Sequence, residues 1–173
     1  MHHARTILLA ASLSALAATT AAAQDPIADF YRGKQIAILV GFSPGGTSSL
    51  YAQGLTRVMS RHIPGNPTVV PKNMEGAGSL RLANWLYNVG PQDGTAMAII
   101  GRGTAFDPVI SKQKAQFDVT KFTWIGSANN EVSICVARKD SGIATFADLR
   151  SKQLVVGGNG GASDPTQMAK ALE

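Results

Sequence analysis

The sequence predicts an α/β fold with a largely parallel sheet, and three observations carry that expectation. Short, nearly unbroken apolar runs alternate with segments whose apolar residues recur at helical spacing. Several of these runs end in a glycine-rich turn, and a helical pattern opens directly after it. The runs lack polar alternation, as strands covered on both faces do. Strand, glycine turn, helix, strand is the order of βαβ units, whose parallel strands need a crossover between them.

The first 23 residues stand outside that pattern. Arg5 supplies a short positive region, residues 7–18 an apolar one, and Ala21-Ala22-Ala23 a small-x-small site that places cleavage before Gln24. The apolar run is too short for a bilayer and breaks into Thr19 and Thr20, so residues 1–23 read as a cleaved export signal. No later segment is long and apolar enough to span a membrane, which places the mature chain in the periplasm.

Residues 36–42 form the first expected strand and end at Ser43-Pro44-Gly45-Gly46. A helix follows from Ser48, with Thr47 or Ser48 as its cap. Leu50, Tyr51, Leu55, Val58, Met59 and His62 fall on one face of it. Pro64-Gly65-Asn66-Pro67 ends it. Residues 68–74 are a second strand, where Pro71 implies an edge position or a bulge. Gly76-Ala77-Gly78-Ser79 opens a helix carrying Leu80, Ala83, Trp85, Leu86 and Tyr87. After the turn Pro91-Gln92-Asp93-Gly94, residues 95–100 read as a third buried strand, and a short helix follows near 105–111. Residues 122–126 and 132–137 are further strand candidates, Thr145 caps a small helix over 146–150, and residues 154–156 run into Gly157-Gly158-Asn159-Gly160-Gly161. A last helix starts near Pro165. The expected organisation is a first α/β lobe over 24–138 and an incomplete second lobe over 139–173, too short to bury a core alone.

Composition narrows the function. Losing Arg5 lowers the formal charge from +5 to +4, and the remaining excess is spread along the chain, unlike a nucleic-acid patch. A single cysteine, Cys135, excludes an intrachain disulfide, and its apolar surroundings suggest a buried, inert thiol. His62 is the one mature histidine, and one His with one Cys does not make a metal site. No bound cofactor is expected.

Two motifs resemble catalytic ones and fail on chemistry. Gly41-Phe42-Ser43-Pro44-Gly45 matches the G-x-S-x-G elbow, but Pro44 lacks the N–H that such an elbow contributes to its oxyanion hole. No acid separates Ser43 from His62, so the order Ser, acid, His is not met. Gly41 to Ser48 also approaches a P-loop, with Thr47 in place of the phosphate-binding lysine. Gly76-Ala77-Gly78-Ser79-Leu80-Arg81 fails as a dinucleotide fingerprint, because Arg81 stands where a glycine allows close helix packing. An enzyme is not expected. What remains is three glycine-rich loops, each following a strand and opening a helix, with Ser43, Thr47, Ser48, Ser79 and Ser163 as nearby hydroxyls. One such loop is as well explained by a tight turn; three together point to an oxyanion held by backbone N–H groups and helix dipoles.

The ordered series of motifs resembles the extracytoplasmic solute receptors of tripartite tricarboxylate transporters, the Bug-type proteins. The matching pieces are Phe30-Tyr31-Arg32-Gly33-Lys34, Pro44-Gly45-Gly46, Asn73-Met74-Glu75-Gly76-Ala77-Gly78 and Pro91-Gln92-Asp93-Gly94-Thr95. Ser141-Gly142-Ile143, Ala147-Asp148-Leu149 and the Gly158 to Ser163 loop complete the series, which spans essentially the whole mature chain. The resemblance implies a periplasmic-binding-protein lobe of the type II-like kind, paired with a second lobe that closes on a small carboxylate. It implies ligand contacts from Ser43, Pro44, Gly45, Gly46, Thr47 and Ser49, and from Gly76, Ala77, Gly78 and Ser79. Arg102 and Thr104 join them from the third loop, and Gly158, Asn159, Gly160, Gly161 and Ser163 from the second lobe. The implied partners are the carboxylate and the membrane subunits of the transporter. The chain departs from the family pattern at Ser49, commonly Asp; at Gln53, commonly Arg; and at Glu75, usually Pro. It is also shorter than its relatives, which continue through a full second lobe. The alternative is a truncated or one-lobe receptor fragment without a transport role.

Overall fold

The computed structural model describes residues 25–110, 115–130, 132, 134–158 and 163–171. The export signal, and Asn159, Gly160 and Gly161 of the third glycine loop, therefore lie outside the described residues.

Asp25 and Pro26 start the first helix, α1 (Pro26–Tyr31): the Asp25 carboxylate accepts from the Ile27 and Ala28 N–H groups, and Pro26 gives up no needed donor at the first position. Three strands follow, β1 (Gln35–Val40), β2 (Thr68–Asn73) and β3 (Ala96–Ile99), all parallel and ordered β2-β1-β3. Helix α2 (Thr47–Met59) connects β1 to β2, and α3 (Leu80–Asn88) connects β2 to β3. β1 is central and the most buried: Ile36 and Ile38 are each 2% exposed and Val40 1%. Its Ile36, Ile38 and Val40 form one cluster with Ala52 of α2 and Val69 of β2. Alternation turns Ala37 and Leu39 to the other face. Ile38 is level with Pro71 on one side and Met97 on the other. Pro71 thus sits on an edge strand, as expected, where its missing N–H costs no ladder bond.

The class is mixed α/β with a small, open, parallel sheet. Several finer expectations are corrected. Residues 122–126, the described part of 132–137 and 154–156 are not strands; Val132, Ile134, Val136 and Val155 are 80–91% exposed. Strand propensity is mostly the worth of cross-strand and face-to-face packing, and these segments have no sheet edge beside them. With no further neighbour among the described residues, β3 is an edge strand, half-buried throughout and not fully covered. Cys135 is accordingly exposed.

α2 is rotated from the expected face. Ser49 and Ala52 are buried and Met59 packs on the core, while Leu50 is 59% exposed and Leu55, Val58 and His62 face outward. Small side chains at Ser49 and Ala52 let the helix sit close to the sheet, and that close approach fixes which face turns inward. The helix cap is Gly46, not Thr47 or Ser48: the Gly46 carbonyl accepts from Ser49 N and Leu50 N at 2.9 and 3.1 Å.

A second cluster covers α3: Leu80, Ala83 and Phe117 pack with Tyr87, Ile100 and Phe122, whose rings meet at 5.5–5.7 Å. After residue 122, Ser163 and Gln167 are the buried residues among those described. The short helix α4 (Asp107–Ile110), a 3-10 helix (Phe146–Arg150) and α5 (Asp164–Ala171) appear close to where the sequence puts them. Asp148 and Thr145 form the capping box of the 3-10 helix. No helix among the described residues is long and apolar enough to cross a membrane, and none of their His, Cys, Asp and Glu side chains cluster in threes as a metal site requires.

Candidate functional site

The order β2-β1-β3 makes the chain leave β1 toward one side and return on the other, so the carboxyl ends of the strands open a crevice at that reversal. The loops following all three strands converge there. Gly41, at the end of β1, donates its N–H to Ile99 O of β3 at 3.0 Å. It has no room for a side chain, since a Cβ would lie 2.2 Å from the Cβ of Ser79. Met74 N, just past β2, donates to Val40 O at 2.8 Å.

Polar side chains fix the first loop from behind. Asn73 Nδ2 donates to Phe42 O at 2.8 Å and to Ser49 Oγ at 3.0 Å; Ser49 Oγ in turn donates to Ser43 O at 3.3 Å. Ser49 is 4% exposed, so its hydroxyl belongs to this brace. The second loop takes an unusual path. Gly76, Ala77, Gly78 and Ser79 all have positive φ, at 145°, 49°, 64° and 78°. For Ala77 and Ser79 this conformation costs on the order of 1 kcal/mol or more each. The surrounding bonds impose it: the fully buried Ser79 Oγ accepts from Gly101 N at 2.7 Å and lies 2.8 Å from Thr104 Oγ1, itself fully buried. Ser79 and Thr104 thereby clamp the second loop to the third.

The result is a cleft of about 670 Å³, lined by residues 41–44, 46–48 and 75–78. Of the residues expected to bind ligand, Ser43, Pro44, Gly46, Thr47, Gly76, Ala77 and Gly78 line it. Gly45 lies exposed in the same turn, whereas Ser49, Ser79 and Thr104 stand behind the wall. Arg102 donates from Nε to Asp164 Oδ2 at 3.0 Å, and Gly103 N donates to Asp164 Oδ1 at 2.6 Å, so one carboxylate ties α5 to the third loop. Gly158 is exposed against Thr166; Ser163 is buried, its Oγ 3.0 Å from Thr166 Oγ1.

Ser48, one of the hydroxyls expected at the anion loop, lines the cleft too, and Gly41, Phe42 and Glu75 join it from outside the expected contacts. Glu75 is legible from its place in the sequence, directly after a parallel strand and before the glycine loop. Its carboxylate Oε2 accepts the Ser43 hydroxyl, and no basic side chain among the described residues pairs with it. Arg81 Nη1 approaches the Glu75 carbonyl, not the carboxylate, at 3.4 Å. His62 lies in the 3-10 turn after α2, its Nε2 accepting from Arg61 Nε at 3.4 Å. The N–H groups of Gly46, Thr47 and Ser48, residues of the same lining, have no acceptor among the described residues. Such groups at a helix start favour an anion, strengthened by the helix dipole. A second depression, lined by Arg138, Lys139 and Asp140, surrounds a surface ion pair and offers no comparable convergence of donors.

No family model, curated protein or solved structure matches the chain.

Proposed function

We propose that the chain is an extracytoplasmic solute-binding receptor that captures a small carboxylate for a tripartite tricarboxylate-type membrane transporter. The observation that carries this reading is the cleft at the strand ends, lined by Gly46, Thr47 and Ser48, whose N–H groups have no acceptor among the described residues. Backbone donors there bind an anion without side-chain chemistry, and strand-end crevices are where open α/β sheets take ligands. Pro44 favours binding over hydrolysis, because it removes the N–H that an acyl-transfer site would need next to a Ser43 nucleophile.

A thermal-shift screen of mono-, di- and tricarboxylates on the purified chain tests the proposal. A ligand that binds only the folded state raises its apparent stability, so at least one carboxylate raises Tm in a concentration-dependent way. No shift with any of them, or Ser43-dependent hydrolysis of an activated ester, rejects the receptor. The same reading expects the exported protein to begin at Gln24 by mass spectrometry.

A further inference from the structure

The cleft is lined by groups of opposite chemistry: Gly46, Thr47 and Ser48 at the start of α2, whose N–H groups have no acceptor among the described residues, and Glu75 beside Gly76, Ala77 and Gly78. Ser43 of the first loop lines it too, and its hydroxyl engages Oε2 of Glu75. Oε1 has no partner among the described residues, and no Lys or Arg among them neutralises the group. A plain dicarboxylate seated here would bring its second negative charge toward a fixed carboxylate. A ligand with an ammonium group would instead meet an acceptor already oriented by Ser43.

We infer that Glu75 selects the ligand class: a small carboxylate that also carries a protonated amine, as an amino acid does. The inference rests on the receptor reading of the same cleft and adds to it the sign of the second recognition point. Glu75 itself is exposed, so its charge acts by direct contact with the ligand and not through the fold.

Isothermal titration with matched probes tests this: succinate against L-aspartate, glutarate against L-glutamate, and propionate against L-alanine. Members of each pair differ by one ammonium group. Wherever a pair binds, the amino member binds about tenfold more tightly, the scale of one charge-assisted hydrogen bond. Glu75→Gln and Glu75→Ala both reduce that ratio to near one while the Tm of the free protein is unchanged. Equal or tighter binding of the plain acid, or a ratio that survives in both variants, overturns the selection by Glu75 and leaves the receptor standing. Failure of every probe to bind overturns both.

Discussion

Residues 25–122 and 123–171 use similar chemistry to opposite effect. The first stretch puts its apolar runs into a sheet: β1 lies between two strands and against α2, and Ile38 is 2% exposed. The second carries an equally β-prone run, yet Ile134 is 80% exposed and Val155 91%. What differs is the neighbour. A strand forms where a second strand supplies ladder bonds and a helix supplies a lid, and neither flanks residues 132–137 or 154–156 among the described residues. The sharpest way to break this comparison is the same substitution in both regions. Ile38→Ala should cost about 2–5 kcal/mol in denaturant unfolding, as buried truncations do, and Ile134→Ala no more than about 0.5 kcal/mol. Equal costs would mean that residues 132–137 are packed in solution.

The next largest effect falls on the junction of the loops. Gly41→Ala places a methyl group against Ser79, whose position is fixed by Gly101 and Thr104. With no flexible side chain to yield, overpacking of about 1–3 kcal/mol is expected, together with loss of any carboxylate-induced Tm shift. A fully stable Gly41→Ala protein would show that the three loops are less tightly joined than the geometry implies. Limited proteolysis sharpens the contrast from the other side. Cuts should collect within 123–138 and 151–158 while 35–99 resists, because exposed, unladdered backbone opens at little cost.

Legibility in the sequence follows the same division. β1, α2 and the glycine turn between them were readable because local pattern and tertiary partner agree there. Pro71 narrows β2 to an edge strand or a bulged one, and the sheet order makes it an edge. The rotation of α2 was not readable, since it depends on the small Ser49 and Ala52 meeting the sheet, and a count of large apolar residues points instead at Leu50 and Val58. The aromatic cover supplied by Phe117 and Phe122 to α3 joins residues far apart in the chain, which no periodicity reports. At the site, the first two glycine loops form the cleft wall and the described part of the third does not, and whether a hydroxyl faces the cleft or braces it, as at Ser49, Ser79 and Thr104, depends on a turn of a few tens of degrees in the backbone.

Asp164 is one place where the two regions touch, beside the bond from Asn129 Nδ2 to Tyr51 OH at 3.0 Å, and its loss tests whether α5 depends on the first region. Its carboxylate takes the Arg102 guanidinium and the Gly103 N–H, and its side chain is 22% exposed. Asp164→Asn keeps the size but weakens both bonds. Allowing for partial solvent screening, the expected cost is about 1 kcal/mol. It should be read as faster amide exchange across α5 with little change in β1. Exchange that accelerates equally in β1 would mean the two regions unfold as one unit.

The smallest effect is a pH dependence that is strongest in the second region. The N–H groups of Thr145 and Ala144, with Lys152 beside them, hold the Asp148 carboxyl well below its ordinary 3.8. A depressed folded value means the unfolded state takes up the proton first. The stabilisation is therefore complete above pH 3.8 and declines as pH falls below it toward the folded value. Because its partners all lie between Ala144 and Lys152, the consequence is local: protonation releases the capping box over Phe146–Arg150, while the sheet persists. Asp93 and Asp118 are lowered in the same direction, chiefly by the hydroxyls of Thr95 and Thr120 and then by their N–H groups, and they sit beside the core, not apart from it. Acidification from pH 5 should thus loosen the 146–150 turn before β1, visible as amide shifts at Thr145 and Ala144 that Asp148→Asn removes. An Asp148 titration midpoint at the ordinary 3.8, followed by its side-chain carboxyl resonance, would show that the cap does not form in solution.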